Sequence, residues 1–97
     1  MDRNGYVPSI LPTHENDCYL CHYGGETCRH EVYFGTANRK VSKATGCWVN
    51  LCPACHNRLH NDPSSGFDGY LKRNAQWWFE QEHSREEFMK LFGRSYL

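Results

Sequence analysis

Two short phrases, Cys18-Tyr-Leu-Cys21 and Cys52-Pro-Ala-Cys55, constrain this chain more than any other feature. Each is a CxxC pair, and together they supply four thiols, enough to close a tetrahedral zinc site. Residues 22–51 lie between them, a longer separation than a short zinc ribbon has. The ion would therefore tie the turn at 18–21 to a distant second segment. A site closed by four sulfurs keeps no coordination position open, so its part is in folding rather than catalysis. The composition calls for such a staple. Leu, Ile, Val and Phe make up fewer than one in five of the 97 residues, and so small an aliphatic core rarely folds unaided. The formal net charge of zero argues against disorder as the explanation.

Disulfides are the other way to use six cysteines. The opening MDRNGYVPSILPTHEND has no apolar run of signal-peptide length. Nothing further along approaches the roughly 20 apolar residues of a membrane span. The expectation is a cytoplasmic protein with no membrane partner, where clustered cysteines bind metal more often than they pair. Had an export signal been removed, disulfides would become the competing reading.

The neutral total conceals an uneven distribution. Residues 29–73 carry Arg29, Arg39, Lys40, Lys43, Arg58, Lys72 and Arg73 against only Glu31, Asp62 and Asp68. Phosphate-binding surfaces need a local excess of this sign, although a solvated basic face beside an acidic tail would look the same.

The chain reads as a single domain over 1–97. Asn4-Gly5, Pro8 and Pro12 mark an extended lead-in, and Gly24-Gly25 reverses the chain after the first CxxC. Arg29 to Phe34 is rich in β-formers and predicts a strand; 35–42 is a polar loop with room for one helical turn; Cys47 to Cys52 predicts a second strand. Pro53 suits the first position of a helix carrying Cys55, His56, Leu59 and His60. Two more helices are expected over 68–93. In the first, capped by Asp68, Leu71, Ala75, Trp78 and Glu82 share a face, with Tyr70 and Trp77 beside it. The second opens on the capping box Ser84-Arg-Glu-Glu87, has Phe88, Leu91 and Phe92 as its apolar stripe, and closes at Gly93.

His56 and His60 stand four apart, so on a helix both imidazoles lie on one face and can share a metal. That ion is distinct from the thiolate-bound one. Two histidines leave positions open, as a catalytic metal requires. His30, on the first strand, has the side chain of a general base near neutrality, provided the strand packs opposite the histidine helix. A lone HxxxH is often only a polar helix face, and a strand histidine is more often structural.

Taken together, CYLC…RHEVYFG…NR…GCWVNLCPACHNRLH resembles the HNH endonucleases, the ββα-metal nucleases, and the wording RHEVYFGTANRK and HSREEFMKLFGRSYL is similar to small phage and prophage-type members. The motif covers residues 18–60, and the closing phrase carries the likeness to the C-terminus. The resemblance implies an α+β fold: a small zinc-stabilised ββα-metal core with two additional C-terminal helices. It implies DNA as partner, phosphodiester hydrolysis leaving 3′-hydroxyl and 5′-phosphate ends, and His30 as general base. His56 and His60 would hold a catalytic divalent ion such as Mg²⁺, Mn²⁺, Ni²⁺ or Zn²⁺, and Cys18, Cys21, Cys52 and Cys55 the structural Zn²⁺. Asn50 is the candidate for the family's middle asparagine. Arg39, Lys40 and Arg58 are candidates for backbone phosphates.

Two positions depart from the family pattern. Arg29 stands where an Asp or His ligand usually precedes the base, and Cys47 stands nine before His56, where the asparagine usually is; Asn50 is six before, pointing to the opposite strand face. These departures bear on turnover more than on fold. The alternative is a catalytically weak zinc module that binds nucleic acid. Cys28 and Cys47 have no metal to serve and are expected to be small reduced core residues; the rarer alternative is that Cys28, two residues from His30, faces the same side and perturbs the site. His22 is a competing zinc ligand, and His14 and His83 have no assigned part.

Overall fold

The computed structural model describes residues 2–97. In chain order it contains strand β1 (Cys28–Glu31), helix α1 (Thr36–Thr45), strand β2 (Trp48–Leu51), helix α2 (Pro53–Asn61), a 3₁₀ turn (Pro63–Ser65), helix α3 (Phe67–Phe79) and helix α4 (Arg85–Phe92). The result is a small α+β protein whose two strands form one antiparallel sheet. Its radius of gyration, 12.8 Å, is what a single unit of this length should have.

The sheet register sorts the site. Cys28 opposes Leu51, Arg29 opposes Asn50, His30 opposes Val49 and Glu31 opposes Trp48. Opposed residues share a face, and alternate residues face opposite ways. Cys28 and His30 therefore share the face that meets α2, whereas Arg29 and Asn50 share the face covered by the N-terminal segment. That segment is fastened to β2: the Trp48 indole donates to Val7 O at 2.8 Å, Ser9 Oγ to Trp48 O at 2.6 Å, and Asn50 N to Thr13 Oγ1 at 2.9 Å.

The expected polar loop at 35–42 is instead the start of a ten-residue helix. Its buried residue is Ser42, which masks the apolar periodicity that would reveal it. The hydroxyl is satisfied by Tyr33, donating to its carbonyl at 2.8 Å and accepting from its amide at 3.1 Å. Gly46 ends this helix at φ +80°, and a Cβ there would stand 2.5 Å from Pro8 O, so no other residue fits without displacing the lead-in. The first strand is correspondingly shorter than expected, ending at Glu31 because Val32 and Tyr33 turn into the core.

Helix α3 begins at Phe67 with Gly66 as its cap; Asp68 lies in the first turn and pairs with Lys72 at 2.9 Å, so it is not the cap. Its buried face is Leu71, Ala75, Gln76 and Phe79, and Glu82 lies beyond its end. Tyr70 and Trp77 remain about half exposed, at 48% and 50%. Gln76 tolerates full burial because its amide donates to Glu80 at 2.7 Å and to Ser95 at 2.9 Å, and accepts from Tyr96 N at 2.7 Å. Helix α4 opens on the expected capping box, with Ser84 Oγ accepting from Glu87 N and Ser84 N donating to the Glu87 carboxylate. Phe88 and Phe92 are buried there, but Leu91 is exposed. Tyr33, Phe79, Phe88 and Phe92 then pack as one aromatic group, with centroids 4.3 Å apart for Tyr33–Phe92 and 5.3 Å for Tyr33–Phe88.

Candidate metal centres and the histidine hollow

Cys18, Cys21, Cys52 and Cys55 converge, with all four Sγ atoms within 4.8 Å of one another and none in a disulfide. Cys21 Sγ and Cys52 Sγ are 3.7 Å apart, close to the edge of about 3.8 Å that a tetrahedron with Zn–S near 2.3 Å requires. The donor set and spacing suit zinc, and these four cysteines could hold such an ion. Local backbone explains the convergence. The first pair sits on a turn where His22 N donates to Cys18 O at 2.7 Å and His22 takes a left-handed φ of +62°. Cys52 caps α2, its sulfur accepting from Cys55 N at 3.4 Å, so the helix start presents both thiols together. Cys18 is fully buried, which raises its pKa, but the backbone amides of Cys52, Cys21 and Leu20 outweigh burial and bring it to about 6. Burial and neighbouring sulfurs push Cys55 up instead. Such a split is natural for four crowded thiols, which cannot all ionise without a cation between them. His22 lies outside this group and pairs with Asp17 at 3.5 Å.

The structure also brings His30, His56 and His60 together, one ring nitrogen of each lying within 4.8 Å of the others. Ring centroids are 5.2 Å apart for His30–His56, 5.6 Å for His30–His60 and 5.0 Å for His56–His60. The first comes from β1 and the other two from successive turns of α2. His30 is only 3% exposed, and its Nε2 is buried without a hydrogen-bond partner. A buried imidazole nitrogen left alone costs free energy unless a water or ion meets it. Burial, then the neighbouring imidazoles, Lys72 and Arg39, push its pKa down to about 3, so the ring is neutral and its lone pair available. Desolvation also lowers His56. Imidazole nitrogens so placed suit a divalent transition ion, held by all three or by His56 and His60 with His30 beside them.

These rings border a hollow of about 230 Å³, also lined by Arg29, Glu31, Phe34 and Arg39. Arg39 also lines a second hollow of about 350 Å³, with Asn4, Gly5, Thr36, Lys40, Lys43 and Ala44. Of the basic residues expected at phosphates, Arg39 thus stands beside the histidines, and Lys40 lines the hollow that shares Arg39. Arg58 is not; it pairs with Asp62 at 3.4 Å and lies over the Phe67 ring. Lys43 was missed because its spacing from Arg39, one helical turn, has meaning only once α1 is known to be a helix.

Asn50 stands apart from the histidine group, on the opposite sheet face, with its side-chain amide 3.4 Å from Thr13 Oγ1. Arg29 is drawn the same way, bonded to Asp2 at 2.7 Å and lying over the Tyr6 and Trp48 rings. Cys47 is buried in the core, as expected, and burial pushes its thiol up to about 11. Cys28 is exposed, against expectation. The fold and these clusters define a small α+β protein with a four-cysteine group able to hold a metal. Comparison with known proteins finds no matching family model and no match among curated proteins or solved structures.

Proposed function

We propose that this chain is a zinc-stapled endonuclease of the HNH type, hydrolysing DNA phosphodiester bonds with one divalent ion at the histidine group. The observation that carries the reading is the placement of His30. Its ring lines a polar hollow, its Nε2 has no hydrogen-bond partner, and one of its nitrogens lies beside two helix histidines at metal-ligand spacing. His30, neutral before the step, accepts the proton of the attacking water, with the negative charge of the bound phosphate offsetting the burial that otherwise opposes its protonation. His56 and His60 hold the divalent ion, which when bound supplies Lewis acidity to the phosphate and the leaving oxygen. Arg39, with Lys40 and Lys43 beyond it, receives backbone phosphates on the strand flanking the hollow. Zinc at the four cysteines joins residues 18–21 to the start of α2 and so fixes where both helix histidines stand.

A second reading has one specific support. Arg29 lines the hollow but sends its guanidinium to Asp2 and supplies no ligand, so the metal-competent group consists of histidines alone. A zinc module that binds DNA without cutting it would tolerate this. Plasmid nicking with Mg²⁺, Mn²⁺, Ni²⁺ or chelator decides between the two. Cleavage that requires an added ion and disappears in His30→Ala supports the nuclease. Equal cleavage by parent and variant removes His30 as base, and salt-sensitive binding without cleavage under any ion favours the module.

A further inference from the structure

Neither cluster uses Cys28 or Cys47; Cys47 is buried in the core, whereas Cys28 touches the helix that carries residues of both clusters and the strand that leads into it. Its Sγ is 3.5 Å from His56 Nδ1 and 3.7 Å from Leu51 O, the carbonyl just before Cys52. Leu51 O can only accept, so that contact, when made, uses the single thiol proton. The contact with His56 Nδ1 runs in the direction set by the ring's tautomer. With the S–H on Leu51 O, the sulfur's lone pairs face His56, the ring supplies the proton from Nδ1, and Nε2 keeps its lone pair. That arrangement satisfies both contacts at once, whereas an S–H turned to Nδ1 leaves the Leu51 O contact without a proton.

We infer that Cys28 is a positioning residue for the histidine site, accepting from His56 Nδ1–H and so holding the tautomer and ring orientation that leave Nε2 free to bind metal. Histidines that bind metals ordinarily direct the other ring N–H to a carboxylate, a backbone carbonyl or water. Here a thiol sulfur occupies that place. The register provides it, since Cys28 and His30 are alternate residues of β1 and face α2 together. The unpartnered, buried Nε2 of His30 is an independent sign that something belongs at this point. The inference rests on the proposed function only for the ion; the tautomer is a property of the chain alone.

The test uses full-length protein with zinc at the four cysteines and the histidine site empty of metal. Long-range proton–nitrogen spectra of the imidazoles report which nitrogen of His56 carries hydrogen. The parent should show Nδ1–H, Cys28→Ala should shift toward Nε2–H, and Cys28→Ser should restore the parent pattern because a hydroxyl also accepts. An unchanged tautomer in Cys28→Ala, or Nε2–H in the parent, overturns the assignment. Co²⁺ titration gives a second readout: affinity should fall about tenfold in Cys28→Ala, the low end of the effect of losing such a partner, and recover in Cys28→Ser. A sulfur-to-cobalt charge-transfer band that Cys28→Ser abolishes would make Cys28 a ligand and overturn the positioning role. If the parent binds no divalent ion at the histidines, the nuclease reading fails, while the tautomer spectra still decide the part of Cys28.

Discussion

The two groups of metal-competent side chains share one short stretch of chain, since Cys52 and Cys55 stand immediately before His56 and His60 on the same helix. Their surroundings nevertheless differ. Three of the four cysteines are buried, and their sulfurs come from segments far apart in sequence. An ion there closes a long loop among largely buried sulfurs, with Cys21 alone exposed. Of the three histidines, only His30 is buried, His60 is exposed, and the group borders an open hollow beside Arg39. Closure suits a donor set to folding, and a solvent-facing side suits it to chemistry.

The sharpest way to break this contrast is to remove each metal site in turn. A strong chelator, or Cys52→Ser, should abolish the cooperative far-ultraviolet melt. Structural zinc sites contribute an apparent ~10–16 kcal/mol, as much as or more than the ~5–15 kcal/mol that holds a whole domain. His56→Ala with His60→Ala should leave the melt in place. A chelated protein that still unfolds cooperatively would show that the aromatic group, not the cysteines, secures the fold.

Phe88→Ala examines that aromatic group directly. The ring is fully buried between Tyr33 and Phe79, and its loss should cost about 3–5 kcal/mol in urea unfolding of zinc-loaded protein. Because Tyr33 follows closely on β1, one transition shifted as a whole is expected. Two separated transitions would mean that the cysteine end and the helical end fold independently.

On the open side of the comparison, His30→Ala should lower metal-dependent nicking by about 10²–10⁴, the usual worth of a general base. His30→Gln keeps most of the volume and a polar atom, and should lose activity equally while preserving the melt. Retained activity in His30→Gln would assign the ring a packing role.

What the sequence disclosed divides along the same line. The double CxxC was legible because metal geometry demands four donors of one kind, and residue type alone reveals them. The pairing of His56 with His60 was legible because helical spacing puts them on one face. His30 could be named but not located, since its approach to α2 depends on a strand register that no local pattern specifies. Helix α1 was hidden by its polarity: a serine takes the buried position an aliphatic residue would normally mark, and a glycine caps its start without a side chain. With that helix unread, Lys43 had no reason to be grouped with Arg39. Arg58 was expected at phosphates from its neighbours in sequence alone, and the ion pair with Asp62 was visible only as an i, i+4 spacing.

The basic residues give the smallest expected effect and the finest test of the open site. Arg39 lines both hollows and Lys40 and Lys43 the larger one, whereas Arg58 lines neither. Each phosphate contact that releases a counterion contributes close to one unit to the slope of log binding constant against log salt. In nicking-inactive His30→Ala protein, Lys40→Ala and Lys43→Ala should each reduce that slope by about one for duplex DNA, with little dependence on sequence. Arg58→Ala should leave it unchanged. Lys43 is the more demanding case, because it is half-buried, lies over the Tyr6 ring and reaches Asn4 O at 3.4 Å; a bound phosphate must draw it from those contacts. An unaltered slope in Lys43→Ala alongside a reduced one in Lys40→Ala would confine the phosphate path to the outer edge of α1. A reduced slope in Arg58→Ala would instead send the strand across α2, outside both hollows.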